Sequence, residues 1–255
     1  MAAKHSDAKL FAAFLFLTFF AARTATAWQI GSQPAAEWIP HLEDPKRVAT
    51  LHIEEVIKII GLKPGMVIAD IGSGSGVFTR PFAKAVAGAD GKAIAVDIDA
   101  ALLSYVSESA GKQGIKNIET HLAPIDDPKL SGPILDVAFF HDVFHHIEHR
   151  DQYVKNLAKY IKPGGRIVLI ERASHGDMHG EEHNMEHDGN ADMHKAMHGE
   201  TASGTPRMMQ HKGQQVEMAT ERGKADAMLA AAGFKPIQES DLFGTGKFFV
   251  IYGRP

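Results

Sequence analysis

A strand that ends in an acidic residue and a glycine-rich turn is the feature that most constrains this fold. The run reads Val67-Ile68-Ala69-Asp70-Ile71-Gly72-Ser73-Gly74-Ser75-Gly76. Its apolar first half predicts a buried strand, and the residues that follow indicate a helix beginning near Val77. Glycines adopt backbone angles and permit close approaches that a side chain would block. A junction of strand, glycine turn and helix is where a doubly wound α/β sheet binds a nucleotide-like ligand.

The glycine spacing separates two kinds of ligand. A dinucleotide fingerprint has the form G-x-G-x-x-G and binds phosphate at a helix N-terminus. Gly72, Gly74 and Gly76 follow the form G-x-G-x-G instead, and Asp70 stands just before them. A carboxylate there suits an ammonium group better than a pyrophosphate. Asp97 ends the next apolar run and could accept hydrogen bonds from both ribose hydroxyls, so the two acids together indicate a cationic, amino-acid-bearing nucleoside.

The chain resembles the class I S-adenosylmethionine-dependent methyltransferases in three motifs that occur in the family's order. They are the loop at 70–76, the acid Asp97, and the turn Ile161-Lys162-Pro163-Gly164-Gly165-Arg166-Ile167-Val168-Leu169. The resemblance covers roughly 45–172 and returns at about 214–255. It implies an α/β fold with a doubly wound, mostly parallel, Rossmann-like sheet of seven strands, the last of them antiparallel. It also implies S-adenosylmethionine as cofactor and an unidentified small-molecule or protein methyl acceptor.

Predicted strands and helices alternate along most of the chain. The strands are expected at 66–71, 92–97, 117–122, 134–140 and 165–171, and the helices at about 76–87, 99–112 and 151–162. This alternation is typical of a parallel sheet with helices on both faces. The C-terminal part predicts a helix at 214–232 and strands at 235–240 and 246–252, which 244–246 can join as an antiparallel hairpin.

The segment before the first predicted strand carries four prolines, three of them within 28–45. Pro34 and Pro40 indicate an extended lead-in over 28–43. Asp44 as N-cap and Pro45 as the first helical residue predict a helix that runs to about residue 60, where Gly61 ends it.

The resemblance also assigns cofactor contacts residue by residue. The glycine loop and Asp70 would hold the methionine portion, and Asp97 the ribose. Asp126 is the candidate for the adenine amino group; Asp127 is an alternative, and Asp126 could equally be a turn-forming residue before Pro128. The predicted cofactor-binding residues are Asp70, Gly72, Ser73, Gly74, Gly76, Asp97, Ile98, Asp126, His141 and Asp142.

A histidine-rich segment, 139–149, follows the fourth predicted strand. Because ligands bind beyond the carboxyl ends of parallel strands, His141 and Asp142 are expected at the cofactor edge. His145 and His146 are the candidate catalytic residues, since histidine can act as a general base near neutral pH. A purely structural role for the pair is the alternative. His141, His145 and His149 are four residues apart and would share a helical face, which leaves a metal site open.

Residues 174–211 hold seven of the fifteen histidines and six of the ten methionines. His175, His179, His183 and His187 recur at every fourth position and would form one stripe on a helix. Such pairs can chelate Zn²⁺, Ni²⁺ or Cu²⁺, and neighbouring thioethers favour Cu(I). A passive polar loop is the alternative. The insertion therefore supports a second hypothesis, a non-catalytic extracytoplasmic metal-binding protein that uses the fold as a scaffold.

The first 27 residues have the form of a cleavable signal peptide. Lys4 and Lys9 precede an apolar run over 10–22, and Ala25-Thr26-Ala27 follows as a cleavage site. That run is short for a membrane span, which needs about 20 residues. An uncleaved membrane anchor is the alternative. We therefore expect a secreted or periplasmic protein without a stable membrane span after cleavage, in which 28–255 form one methyltransferase-like domain.

Composition bounds the class of protein. A chain of 255 residues with 44% hydrophobic content can bury one substantial core. The formal charge of −4 argues against a nucleic-acid partner, which usually meets a basic face. The absence of cysteine excludes disulfides and thiol-dependent chemistry.

Overall fold

The computed structural model of the chain describes residues 34–173 and 222–254. Its strands are β1 (Val67–Ile71), β2 (Lys92–Asp97), β3 (Ile118–Leu122), β4 (Leu135–His141), β5 (Ile161–Arg172), β6 (Lys235–Ser240) and β7 (Lys247–Gly253). Its α-helices are α1 (Ala35–Leu42), α2 (Pro45–Ala49), α3 (Ile53–Ile60), α4 (Thr79–Ala85), α5 (Ala100–Lys112), α6 (Arg150–Leu157) and α7 (Arg222–Ala231). Short 3₁₀ turns lie at Phe144–His146 and Gly244–Gly246.

The strands form one sheet in the order β3-β2-β1-β4-β5-β7-β6. Neighbours from β3 to β5 are parallel, whereas β7 runs antiparallel between β5 and β6. The order in which strands are added reverses at β1, because β2 and β3 lie on one side of it and β4 and β5 on the other. This is the predicted doubly wound, mostly parallel seven-stranded sheet with its last strand antiparallel, and that prediction is confirmed.

Successive residues of the central strands belong to different hydrophobic cores. Ile68 packs with α3 and α4 on one face of the sheet, and Ala69 packs on the other face with α6 and α7. Every residue of β1 is buried. Burial on both faces explains why β1 reads as a continuous apolar run rather than an alternating one. Asp70, next to the last residue of β1, is therefore buried as well.

The expected extended lead-in is wrong for the part of 28–43 that the structure describes. Residues 35–42 form α1, with Pro34 preceding the helix and Pro40 inside it. The helix contacts α5, and Glu43 at its end forms an ion pair with the buried guanidinium of Arg80, at 2.8 Å. Tertiary contacts therefore outweigh the missing backbone donor of Pro40.

The single helix predicted over 45–60 is two helices. Asp44 caps α2 as expected, its Oδ1 accepting from the backbone N–H of Lys46 at 2.8 Å. The break falls at His52, which has a left-handed φ of 48° and packs its ring edge-on against Phe243, with centroids 5.7 Å apart. Gly61 ends α3 in the left-handed conformation, as predicted.

Candidate active site

The carboxyl ends of four parallel strands bring polar residues to one edge of the sheet. β1 contributes Asp70, β2 Asp97, β4 His141 and β5 Glu171. Residues at these ends are in register, since Ile71 lies beside both Val96 and Phe140. In open α/β sheets this edge, near the reversal in strand order, is the ligand-binding side.

The glycine loop folds across the end of β2. The backbone N–H groups of Gly72 and Ser73 both donate to the carbonyl of Val96, at 2.8 and 3.1 Å. Gly72, Gly74 and Gly76 have φ values of 68°, 54° and 77°, a region that side chains disfavour. The hydroxyls of Ser73 and Ser75 are buried, and neither has a hydrogen-bond partner among the described residues.

Asp70 lies beneath this loop and is 4% exposed. Its Oδ2 accepts a hydrogen bond of 2.5 Å from the hydroxyl of Thr79 in α4. Burial raises the pKa of Asp70 to about 7, and the Thr79 hydrogen bond opposes that rise. The carboxyl group is therefore balanced between its neutral and ionised forms near neutral pH, where a nearby cation would favour the ionised form.

Asp97 closes the other side of the glycine loop. Its Oδ2 accepts from the backbone N–H of Gly74 at 2.8 Å, and its Oδ1 accepts from that of Asp99 at 3.0 Å. Each carboxylate oxygen keeps a second acceptor position. Burial raises the pKa of Asp97, while these backbone donors lower it.

Large apolar side chains are exposed beside Asp97. Ile98 is 38% exposed; Leu122, the last residue of β3, is 59% exposed, and Ile125, just beyond that strand, is 41% exposed. Most large hydrophobic residues in the described ranges are covered, so this local concentration marks a surface suited to a flat apolar group.

The two adenine candidates have different surroundings. Asp126 is exposed, and its backbone carbonyl accepts from Asn156 at 3.3 Å. Asp127 is engaged in the local turn, because its Oδ1 accepts from the N–H of Lys129 at 2.7 Å and from the hydroxyl of Tyr160 at 2.9 Å. Of the two carboxylates, that of Asp126 is the more accessible.

His141 and Asp142 lie at the end of β4, as predicted, but they contact β7. Lys247 donates to Asp142 Oδ2 at 2.5 Å and lies 3.1 Å from His141 Nε2. Burial lowers the pKa of His141 to about 3, so its ring is neutral at physiological pH. Burial opposes ionisation of Asp142, yet His141 and Lys247 hold the pKa of Asp142 below its ordinary value. Asp142 has a left-handed φ of 51°, and its buried Oδ1 has no hydrogen-bond partner in the described part of the chain.

Glu171, at the end of β5, organises the turn that carries the histidine pair. It is fully buried. Its Oε1 accepts from the N–H groups of Val143 and Phe144 at 2.8 and 2.6 Å, and its Oε2 lies 2.7 Å from Nδ1 of His145. Within the described residues, His145 is the one of the two predicted catalytic histidines that a carboxylate holds.

The ring of His146 packs against that of His145, with centroids 4.0 Å apart and the ring planes tilted by 45°. Burial, followed by the neighbouring His145, lowers the pKa of His146 to about 4. The shared helical face expected for His141, His145 and His149 is wrong, because these residues lie at a strand end, in a 3₁₀ turn and before α6. No group of three or more candidate metal ligands occurs within 34–173 and 222–254.

The structure does not test the four predicted metal ligands. His175, His179, His183 and His187 fall outside the described residues, as does the predicted signal peptide over 1–27. Both therefore stay predictions.

Sequence reasoning missed Glu171 and Lys247. An available signal for Glu171 was its place after the apolar residues of β5, the same pattern that marked Asp70 and Asp97. Lys247 gave no local signal, since it reaches Asp142 from 105 positions along the chain.

A family model described as a methyltransferase domain matches residues 62–233. This match includes the glycine loop, Asp97 and Glu171, and it covers more than half of the chain. The chain belongs to this methyltransferase-domain family. The predicted membership of the S-adenosylmethionine-dependent methyltransferases is confirmed, and S-adenosylmethionine is the cofactor of the family.

Relatives and solved structures agree with this assignment. The ubiquinone/menaquinone biosynthesis C-methyltransferase UbiE of Ectopseudomonas mendocina is 26% identical over 126 residues, which are 48% of this chain and 47% of that protein. The chain thus spans about half the length of the first curated relatives it matches.

Two solved structures share the fold. A SAM-dependent methyltransferase from Aquifex aeolicus has a TM-score of 0.65 at 23% identity, covering 88% of this chain and all of that one. A possible exported protein from Bordetella parapertussis has a TM-score of 0.56 at 16% identity, covering 82% of this chain and 68% of that one. At these identities the likeness concerns the fold of the methyltransferase domain.

Proposed function

We propose that this methyltransferase domain transfers a methyl group from S-adenosylmethionine to a small-molecule or protein acceptor outside the cytoplasm. The observation that carries the proposal is the pair of carboxylates on either side of the glycine loop, that of Asp70, which is buried, and that of Asp97, which is half-buried. A single acid beside a glycine turn would suit many ligands. Two acids at neighbouring strand ends suit a ligand with an ammonium group and a ribose.

The chemistry of this edge fits that cofactor. The buried hydroxyls of Ser73 and Ser75, which have no hydrogen-bond partner in the described part of the chain, offer polar contacts within the loop. The free acceptor positions of Asp97 suit the ribose hydroxyls, and the exposed apolar side chains of Ile98 and its neighbours suit an adenine face. Asp126 is the proposed partner of the adenine amino group, and Asp70 that of the ammonium.

When bound, S-adenosylmethionine supplies a methyl group activated by a sulfonium. The residues of the chain then have three tasks: to hold the donor, to exclude water and to take up a proton from an acceptor that must lose one. His145 and His146 are the proposed proton acceptors. His141 and Asp142, at the end of β4, are proposed to line the donor side of the site.

Calorimetric titration of the protein with S-adenosylmethionine and S-adenosylhomocysteine tests this function. We expect micromolar binding of both, and weaker binding by about tenfold or more in Asp97→Asn, since a bond to a charged group contributes about 1.5–3 kcal/mol. Asp136→Asn is the matched control. The carboxylate of Asp136 also accepts a hydrogen bond from a backbone N–H group, that of Val67, at 2.7 Å. Asp136 lies near the amino end of β4, whereas the candidate site lies at the carboxyl ends of the strands. Equal binding by wild type and Asp97→Asn would contradict the assignment.

Repeating the titration with Cu²⁺, and in a variant that lacks 174–211, tests the metal hypothesis. Donor binding that requires Cu²⁺ would make the insertion a regulatory element. Absence of donor binding, with tight Cu²⁺ binding that the deletion abolishes, would instead favour the non-catalytic metal-binding protein. The histidine spacing is what supports this second candidate, with Cu, Ni and Zn as its metals.

Export is a further part of the proposal. The charged start, apolar run and Ala-Thr-Ala site over 1–27 support it. Within 34–173 and 222–254, no helix has the length and apolar character needed to cross a membrane. We expect mass spectrometry of the protein recovered from the periplasm or medium to find Trp28 as the new N-terminal residue. Recovery of the uncleaved chain in the cytoplasm alone would contradict export.

A further inference from the structure

The carboxylate of Glu171 is an unusual group to find inside this protein. It lies at the carboxyl end of β5, it is 0% exposed, and both of its oxygens are engaged by the turn that follows β4. An uncompensated carboxylate would be costly to bury. Three donors surround this one, so its presence calls for a task that an apolar side chain could not perform.

Those three donors differ in kind. The N–H groups of Val143 and Phe144 donate to Oε1 at 2.8 and 2.6 Å, which stabilises the charged form of the carboxylate and fixes the backbone of the turn. The third group is the ring of His145, whose Nδ1 lies 2.7 Å from Oε2. An ionised carboxylate can only accept hydrogen bonds, so Nδ1 must carry the proton.

The proton at Nδ1 has a direct consequence for the rest of the ring. A neutral imidazole bears one N–H, and the nitrogen that is not protonated keeps its lone pair. With Nδ1 protonated, Nε2 of His145 is the basic atom. The side chain of His145 is only 5% exposed, so its orientation is restrained by packing as well as by this hydrogen bond.

We propose that Glu171 is a positioning residue that holds His145 in the Nδ1–H tautomer, so that Nε2 accepts the proton of the methyl acceptor. This inference rests on the proposed function. As the acceptor forms its bond to the methyl carbon, its proton passes to Nε2 and then to water. The electron pair of the broken carbon–sulfur bond stays on sulfur, which becomes a neutral thioether.

The surroundings favour His145 over His146 for this task. Burial and the adjacent His145 ring lower the pKa of His146 to about 4, which makes it a weak base, and no carboxylate among the described residues fixes its tautomer. The other charged groups facing the pair are Asp142, from the turn, and Arg172, from β5. Lys247 of β7 donates to Asp142 and is linked to the histidine pair through that carboxylate.

The substitution Glu171→Gln separates the positioning role from the structural one. The amide oxygen can still accept from both backbone N–H groups, so the turn is preserved. The amide nitrogen would instead donate toward Nδ1 of His145. That bond requires the lone pair on Nδ1 and moves the ring proton to Nε2.

Nitrogen-15 NMR of the histidine-labelled protein, which distinguishes the two tautomers, gives the readout. We expect predominantly Nδ1–H for His145 in wild type and predominantly Nε2–H in Glu171→Gln. The control Asp136→Asn removes a carboxylate that accepts the N–H of Val67 far from this turn, and should leave the His145 signals unchanged.

Two results would overturn the inference: an Nε2–H tautomer in wild type, or an unchanged Nδ1–H tautomer in the folded Gln variant. If that variant does not fold, the wild-type spectrum still decides. Calorimetric titration of the same samples with S-adenosylmethionine keeps the two proposals apart. Failure of the wild type to bind would count against the proposed function, whereas normal binding with the wrong tautomer would count against the role of Glu171 alone.

Discussion

Replacing Asp70 with Asn is expected to produce a protein that is more stable than wild type at alkaline pH and that binds S-adenosylmethionine poorly. The substitution removes a buried ionisable group, and the Asn oxygen can still accept from the hydroxyl of Thr79. It also removes the negative charge proposed to meet the ammonium of the donor. Stability and binding should therefore change in opposite directions.

The pH dependence follows from the pKa of Asp70, which burial raises from its ordinary 3.8 to about 7 in the folded protein. A group whose pKa is higher in the folded state contributes stability that is complete below the unfolded pKa and is lost as pH rises through the folded one. The gain in unfolding free energy from Asp70→Asn should thus grow by about 4 kcal/mol between pH 4 and pH 8, at about 1.4 kcal/mol per pKa unit.

Denaturant unfolding of both proteins at pH 4 through 8, with calorimetric titration at pH 6 and 8, measures these effects. Wild-type affinity for S-adenosylmethionine should rise with pH as Asp70 ionises, and affinity in Asp70→Asn should be low at both pH values. In Thr79→Val the pKa of Asp70 rises further because a stabilising donor is lost, so the wild-type increase should move to higher pH. Undiminished binding by Asp70→Asn would contradict the assigned ammonium contact.

Gly72→Ala is expected to destabilise the protein by about 2–5 kcal/mol, combining about 1–2 for a left-handed non-glycine residue with about 1–3 for overpacking. The φ of Gly72 is +68°, and an added Cβ would meet the side chain of Val143, coming within 3.0 Å of its Cβ and much nearer to its Cγ2. The glycine loop and the turn after β4 can share this space only without a side chain at position 72.

Two companion variants separate the causes. Gly164 has a similar φ of +76° but open space around it, so Gly164→Ala should show the conformational cost alone. Val143→Ala, added to Gly72→Ala, removes the methyl groups nearest the new Cβ and should recover part of the stability lost in Gly72→Ala. Unfolding midpoints in urea compare the stability of wild type, Gly72→Ala, Gly164→Ala and the double variant. A Gly72→Ala cost no larger than that of Gly164→Ala would show that the steric contact is unimportant.

The sheet could be predicted from the sequence because buried parallel strands carry their own signal. The apolar runs at β1, β2 and β4 placed those strands to within a residue or so, and the glycine turn marked the end of β1. The N-terminal segment was less accessible to this reasoning. Pro40 argued against a helix, and only the contacts of α1 with α5 and of Glu43 with Arg80 explain why one forms.

The candidate site could be predicted only in part, for a related reason. Asp70 and Asp97 are recognisable locally, since each follows an apolar strand. The sequence named His145 and His146 together but could not choose between them. What distinguishes them is Glu171, 26 residues later, and a pairing of that kind depends on which strands become neighbours. The contact of Lys247 with Asp142 could not be predicted from the local sequence either, because it also depends on which strands become neighbours.

The insertion of β7 between β5 and β6 bears on how this protein can change over evolutionary time. β5 and β7 pair along their length, yet residues 173–221 separate β5 from α7, and α7 precedes both final strands. The entropic cost of bringing two chain segments together grows only with the logarithm of the number of residues between them, about 0.6 kcal/mol for each doubling. Residues can therefore be inserted or deleted between β5 and α7 at small cost to the stability of the sheet. New functional residues can be acquired in this connection while the site at the strand ends is retained.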